Sequence, residues 1–215
     1  MYDLVVIGAS WGGLDAVGCV LAGFPDEVDL PIVVGQHRHP DSLAEGLSGL
    51  LSAQIGRPVA DVDDKLPIER GRVYVAPPDY HLLVERGWFA LSVDERVQYA
   101  RPSIDVLFES AADAYGAGVI GVILTGANED GAAGLARIKQ RGGVAVVQDP
   151  VGATRRAMPE AAIAATVADA VLPLDEIAPF IYGLCVKPAR SAGSRSESME
   201  GVEENREVPP EVTRR

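Results

Sequence analysis

The sequence predicts a doubly wound α/β domain on a mainly parallel sheet, with crossover helices on both faces. Three observations predict it. Short apolar, β-branched runs alternate with segments of helical period along most of the chain. One of these runs, GVIGVILTG at 118–126, is apolar enough for a strand covered on both faces. The stretch from about 59 to 99 reads differently, as short strands between tight turns, and marks an antiparallel hairpin region at one edge of the sheet.

Taken in order, LVVIGA (4–9) is a strand, and GLDAVGCVLAGF is a helix with Leu14, Val17, Val20, Leu21 and Phe24 on one side. PIVVGQH (31–37) is the second strand. DSLAEGLSGLLSAQI is a helix capped by Asp41 or Ser42, with Leu43, Leu47, Leu50 and Leu51 facing inward. VADV, RVYVA, HLLVE and FALSV supply the hairpin strands, separated by Pro-Pro-Asp and Glu-Arg-Gly turns. RPSIDVLFESAADAYG is a helix ahead of the 118–126 strand, and GAAGLARIKQRGG a helix with a glycine stop. GVAVVQD is a strand, PEAAIAATVA a helix, DAVLPL a short last strand, and IAPFIYGLCV closes the fold. Residues 1–187 read as one domain. From Pro188 the composition turns to Arg, Ser, Gly, Glu and Pro, so 188–215 is expected to be a disordered polar tail.

Charge excludes some partners. With 31 acidic and 19 basic residues the formal charge is -12, which disfavours nucleic acid and anionic membrane surfaces. No signal peptide and no membrane-length apolar stretch is visible, so a cytoplasmic location without membrane insertion is expected. Cys19 and Cys185 lie in apolar, helix-like contexts and are expected as buried thiols. No metal or cofactor is implied.

The chemistry begins at G8-A9-S10-W11-G12-G13, between the first strand and the first helix. A dinucleotide cradle places glycine where Ser10 stands and wants a carboxylate at the end of the second strand, which here ends Gln36-His37. A phosphate loop needs a following Gly-Lys-Ser/Thr, which is missing. Gly-x-Ser-x-Gly also has the spacing of a nucleophile elbow, a sharp turn that exposes a serine hydroxyl at a strand end. Ser10 then sits at a helix N-terminus, where the N–H groups of Trp11 and Gly12 can receive an oxyanion.

The chain has three histidines: His37, His39 and His81. His37 ends the second parallel strand, on the same rim as Ser10. The loop TGANEDGAAG at 125–134 follows the most apolar strand and offers Asp130, which alone would read as a helix N-cap. Three strand ends bringing Ser10, His37 and Asp130 to one rim suit acyl transfer, with serine attacking, histidine moving the proton and aspartate orienting the ring. Their order in the chain differs from that of ordinary α/β-hydrolases.

Six stretches in order resemble the catalytic domain of the chemotaxis protein-glutamate methylesterase (CheB) family: VVIGASWGG, VVGQHRHPDSLAEGL, RVYVAPPDYHLLV, RPSIDVLFESAA, LTGANEDGAAGL and AMPEAAI. The resemblance runs from about Leu4 to Leu174. It implies Ser10 as nucleophile, His37 as general base and acid, and Asp130 as the residue orienting the histidine. The implied reaction is hydrolysis of glutamate γ-methyl esters on chemoreceptors through an acyl-enzyme, with release of methanol; related enzymes also deamidate glutamine. The implied partner is a methylated chemoreceptor or similar helical signalling protein.

Some positions depart from the family's pattern. Trp11 stands where a small residue is usual, Ala127 where methionine is usual, and Asn128 where a glycine able to take φ > 0 is usual, a conformation asparagine tolerates better than most. The Ala127 N–H remains an oxyanion candidate. Glu129 adds a carboxylate next to Asp130, expected to favour protonated His37. His39 reads as a loop residue and His81 as structural. Members usually carry a receiver domain ahead of the catalytic one; here the Ser10 strand starts at residue 4, so a stand-alone form regulated in trans is expected. The alternative is a catalytically altered member acting as a protein-binding module.

Overall fold

The computed structural model describes residues 2–39, 41 and 44–186. The tail expected from residue 188, and Ser42 and Leu43 of the second helix, lie outside the described residues. Along the chain run β1 (Leu4–Ala9), α1 (Gly13–Ala22), β2 (Ile32–Gln36), α2 (Ala44–Ile55), β3 (Val59–Asp61), β4 (Val73–Val75), β5 (His81–Glu85) and β6 (Trp88–Ser92). They are followed by α3 (Ile104–Tyr115), β7 (Val119–Ile123), α4 (Ala132–Gln140), β8 (Val144–Gln148), α5 (Ala157–Ala165), β9 (Ala170–Leu172) and α6 (Leu174–Val186).

Seven strands form one sheet in the order β3-β4-β2-β1-β7-β8-β9, every pairing parallel. Chain order reverses at β1, which has β2 on one side and β7 on the other. In open α/β sheets ligands bind outside the strand C-termini at such a switch point. The doubly wound architecture follows the sequence expectation. Within 59–99 the antiparallel strands are β5 and β6, a separate two-stranded sheet joined at Arg86-Gly87, with Gly87 at φ 85°; an isolated antiparallel bridge sets Pro67 against Trp88. β3 and β4 instead pair in parallel with each other and β4 with β2, because residues 62–72 give the chain length to return in the same direction.

Alternation along β1 divides two cores. Val5, Ile7 and Ala9 pack with Val17, Val20 and Leu21 of α1, Leu47 and Leu51 of α2, and Ile177 and Ile181 of α6. Leu4 and Val6 face the other side, with Leu107 and Phe108 of α3, Leu135 and Ile138 of α4, and the β5–β6 hairpin. Tyr74 of β4 meets Phe89 of β6 edge to face at 4.9 Å and ties the hairpin to the sheet. Leu50, expected inward, is 57% exposed: the inward stripe of α2 runs through Leu47 and Leu51. The cysteines are free but not buried as expected; Cys19 is half-buried and Cys185 exposed. Among the described residues no helix is long and apolar enough to cross a membrane.

One packing choice positions the site. α3 comes down on the C-terminal ends of β1 and β2 because Gly8 and Gly35 lack side chains there. A methyl at Gly8 would overlap Ile104, the first residue of α3, and one at Gly35 would lie 2.9 Å from Leu107. Gly8→Ala is therefore expected to lift the start of α3 and destabilise the fold by about 1–3 kcal/mol, the usual cost of overpacking. An unchanged urea midpoint would contradict this contact.

Candidate active site

The turn after β1 is fixed from several sides. The Ser10 N–H donates to the Thr125 carbonyl at 2.9 Å, and the Ser10 carbonyl accepts from Gln36 Nε2 at 2.7 Å and from the Gly13 N–H at 2.9 Å. Gly12 takes the left-handed conformation, φ 78°, and begins α1. Ser10 is not among the residues with positive φ, so the strained elbow conformation belongs to Gly12 rather than to the serine. A methyl at Gly13 would overlap the Gln36 carboxamide, so this glycine makes room for the group that holds Ser10. With its backbone occupied, Ser10 presents its hydroxyl.

The parallel register sets Gly8 beside Gly35 and Ile123, so chain leaving β1, β2 and β7 emerges on one rim. His37 is the first residue beyond β2, and its N–H donates to the Ala9 carbonyl at 3.1 Å. Its Nδ1 lies 3.2 Å from Ser10 Oγ, and its Nε2 2.7 Å from Asp130 Oδ2. A proton on Nε2 is held by the carboxylate, which leaves the Nδ1 lone pair for the hydroxyl. The ring is used the other way round from the serine-protease template, where Nδ1 faces the aspartate.

Asp130 is fully buried and fully engaged. Besides His37, its carboxylate accepts from the N–H groups of Ile104 (2.7 Å) and Asp105 (3.0 Å) and from Ser103 Oγ (2.8 Å). These are free donors at the N-terminus of α3, where a negative charge is stabilised. The N-cap of α4 is Gly131, at φ 97°; Asp130 caps the neighbouring helix instead. Asp105 returns the exchange, its Oδ1 accepting from Gly131 N–H (2.9 Å) and Gly134 N–H (2.8 Å) at the start of α4. Gln98 Nε2 donates to its other oxygen at 3.1 Å.

The two carboxyls diverge in acidity. Burial pushes Asp105 up to about 6, reinforced by the Asp130 charge and opposed by its two backbone N–H donors. Burial would raise Asp130 as well, but the His37 ring and the Asp105 and Ile104 N–H groups outweigh it and hold that carboxyl below its ordinary value. Asp130 therefore stays ionised beside His37. Glu129 is exposed, so the second carboxylate next to Asp130 is Asp105.

The remaining candidates form the rim. Trp11 is 62% exposed, with the Arg155 guanidinium carbon 5.4 Å from its ring centre. Thr125 Oγ1 donates to the Trp11 carbonyl at 2.9 Å and accepts from the Arg155 N–H at 2.9 Å. Among the described residues the N–H groups of Trp11, Gly12 and Ala127 have no acceptor. Asn128 is not among the residues with positive φ, the conformation open to a glycine there, and its Oδ1 is buried without a partner. His39 is an exposed loop residue next to Asp41. His81 is buried: its Nε2 reaches the Glu95 carbonyl at 3.0 Å, and its Nδ1 accepts from the Ser103 N–H at 3.2 Å, steadying a residue that itself holds Asp130.

A cavity of about 210 Å³ opens beside His37, lined also by Arg38, Arg96, Tyr99, Arg101 and Asn128. Next to it a second, of about 500 Å³, is lined by Gln98, Tyr99, Asn128, Glu129, Ala157 and Ala161. A third, of about 450 Å³, lies by Tyr2, Leu30 and Tyr182 at the opposite ends of the strands and has no such convergence of groups. Among the described residues no cluster of three or more His, Cys, Asp or Glu side chains is placed to hold a metal ion.

A family model described as CheB methylesterase matches residues 5–181. The chain belongs to the CheB methylesterase family. A putative protein-glutamate methylesterase/protein-glutamine glutaminase of Leptospira interrogans is 48% identical over 178 residues, covering 82% of this chain and 92% of that relative. The methylesterase FrzG of Myxococcus xanthus is 40% identical over 177 residues, 82% of this chain and 53% of its own length. Protein-glutamate methylesterase/protein-glutamine glutaminase 1 of Hahella chejuensis is 41% identical over 180 residues; 49% of its length is matched. The crystal structure of the Thermotoga maritima CheB methylesterase catalytic domain superposes with a TM-score of 0.80 at 31% identity, covering 86% of this chain and 99% of that one. Membership makes the chain a carboxylic ester hydrolase of the methylesterase kind.

Sequence reasoning missed Gln36, Gln98, Ser103, Asp105 and Thr125. For Ser103 and Asp105 there was a signal, since serine ahead of an acidic first turn is an N-cap pattern. The shared acid makes a pH test. Asp105 has a folded pKa near 6, above the ordinary ~4, so its effect on stability worsens as pH rises from about 4 to 6. Asp130, held low, contributes above about 4 and loses that contribution as pH falls further. Asp105→Asn keeps an acceptor for Gly131 and Gly134 and abolishes the titration, with Gln98 turning its amide to match. The variant is expected to gain stability relative to wild type on going from about pH 4.5 to pH 7 in urea denaturation. The same difference at both pH values would refute the shifted acid.

Proposed function

We propose that the chain hydrolyses glutamate γ-methyl esters on a methylated chemoreceptor or similar helical signalling protein, using Ser10, His37 and Asp130. The observation that carries this reading is the unbroken line from Ser10 Oγ through His37 to the buried, ionised Asp130. Ser10 Oγ attacks the ester carbonyl carbon while its proton passes to His37 Nδ1. Asp130 holds the ring and stabilises the imidazolium. The oxyanion takes the N–H groups of Trp11 or Gly12 from the Ser10 side and of Ala127 from the facing loop, where Ala127 offers the same backbone donor as the bulkier residue usual in the family. Collapse expels the methoxy group, which takes the Nδ1 proton and leaves as methanol. Water, deprotonated by His37, then cleaves the acyl-enzyme to free glutamate and restore Ser10. A glutamine side chain in the same place would lose ammonia by the same steps.

The acidic chain does not oppose a glutamate-bearing substrate at this point. Arg38, Arg96 and Arg101 line the cavity beside His37. Asp79 pairs with Arg96 and Arg101, and Asp61 lies near Arg38, so guanidinium groups stand among the carboxylates on this wall. A non-catalytic binding module has no use for a hydroxyl, base and carboxylate held in line.

Methanol release from methylated chemoreceptor membranes tests the reading. Ser10→Ala and His37→Ala are each expected to lower kcat by at least ~10³-fold, and the double variant by little more, because the three groups act as a unit. Labelling of Ser10 by a fluorophosphonate is expected in wild type and absent in both. Multiplying losses, or release that survives Ser10→Ala, would sink the assignment.

A further inference from the structure

The segment Val97–Ala100 is a tight turn closed by the Ala100 N–H on the Val97 carbonyl at 2.9 Å. Its two central residues, Gln98 and Tyr99, have φ 47° and 65°. That is the conformation of a type I′ turn, which favours Asn and Gly. Elsewhere among the described residues left-handed backbone falls on glycine or on single residues; only here do two non-glycine residues adopt it in succession. The Cβ atoms strain such a backbone, and strain of this kind persists where side chains are needed at a functional site.

The Gln98 side chain is accounted for inside the molecule, since it holds Asp105. Tyr99 is not. Its side chain is 97% exposed, and it forms the ridge shared by the two cavities beside His37, with Asn128 on the wall of both. An aromatic ring with a polar tip, rigid at low entropic cost, is a favoured anchor on a protein partner.

We infer that Tyr99 is a specificity-determining residue that packs against the polypeptide carrying the esterified glutamate, on the His37 side of Ser10. The inference rests on the proposed methylesterase reading and adds to it the element that distinguishes a protein substrate from a small ester. Arg96, half-exposed on the same cavity wall, faces carboxylates flanking the ester.

The test uses the full chain with Tyr99→Gly, Tyr99→Asn and Tyr99→Phe. Glycine and asparagine suit the turn, so melting temperatures are expected unchanged or raised by about 2 °C. Fluorophosphonate labelling of Ser10 is expected at the wild-type rate in all three, because it reports the Ser10–His37–Asp130 line, of which Tyr99 is no part. For methanol release from methylated receptor membranes, kcat/KM is expected to fall roughly tenfold in Tyr99→Gly and Tyr99→Asn, mainly through KM, and to stay near wild type in Tyr99→Phe. Wild-type efficiency in the glycine and asparagine variants would overturn the inference alone. So would a matching loss of labelling, which would show that the ring acts through the fold. A wild type that labels but releases no methanol would overturn the substrate reading, and the inference with it.

Discussion

Two helices in this fold exchange carboxylates, and the site depends on that exchange. Asp130, in the loop before α4, satisfies the free N–H groups that open α3; Asp105, in the first turn of α3, satisfies those that open α4. Each helix end is stabilised by an acid belonging to its neighbour, so the two start points cannot shift independently. His37 is then the fourth donor rather than the organiser: it meets a carboxylate whose position is already set. Four donors to one buried carboxylate keep it ionised, which an isolated buried aspartate would not be. The accompanying cost falls on Asp105, which lies next to that charge with less compensation and is pushed towards neutrality.

The serine side is settled by different means. Parallel pairing of β1 with β2 and β7 fixes where the three chain segments leave the sheet, and small residues let other groups close in on them. Gly8 and Gly35 admit α3, Gly12 supplies the left-handed step, and Gly13 leaves space for Gln36. Ser10 has both its backbone N–H and its carbonyl engaged within the protein, so the serine's free function is its hydroxyl.

How much of this was legible follows from the range of each interaction. Strand and helix positions come from local period, and the rim shared by Ser10, His37 and the 125–134 loop follows from parallel topology. The parallel pairing of β3 and β4 escaped because their three-residue runs look the same in either direction. Leu50 misled because several leucines crowd α2 and the pattern does not say which of them lie under the sheet. Asp130 read alone as an N-cap is right in kind and wrong in address: it caps a helix 26 residues upstream, and no local pattern can name a partner across space. Gln98-Tyr99 lacks any turn signature at all, since neither residue favours φ > 0.

That last miss has a physical meaning. Where local preference and observed conformation agree, as at Gly12 and Gly131, the residue type explains the backbone and nothing further is needed. Where they disagree, some other interaction must hold the conformation against its preference. For Gln98 it is the Asp105 carboxyl. For Tyr99 the described residues contain no such side-chain interaction, because the residue stands almost wholly in solvent. A chain that keeps a strained, exposed aromatic between two cavities, a few residues before the helix that grips its buried aspartate, ties recognition to the same element that fixes the acid. Gln98 and Asp105 join that turn to the start of α3, the same helix end that holds Asp130.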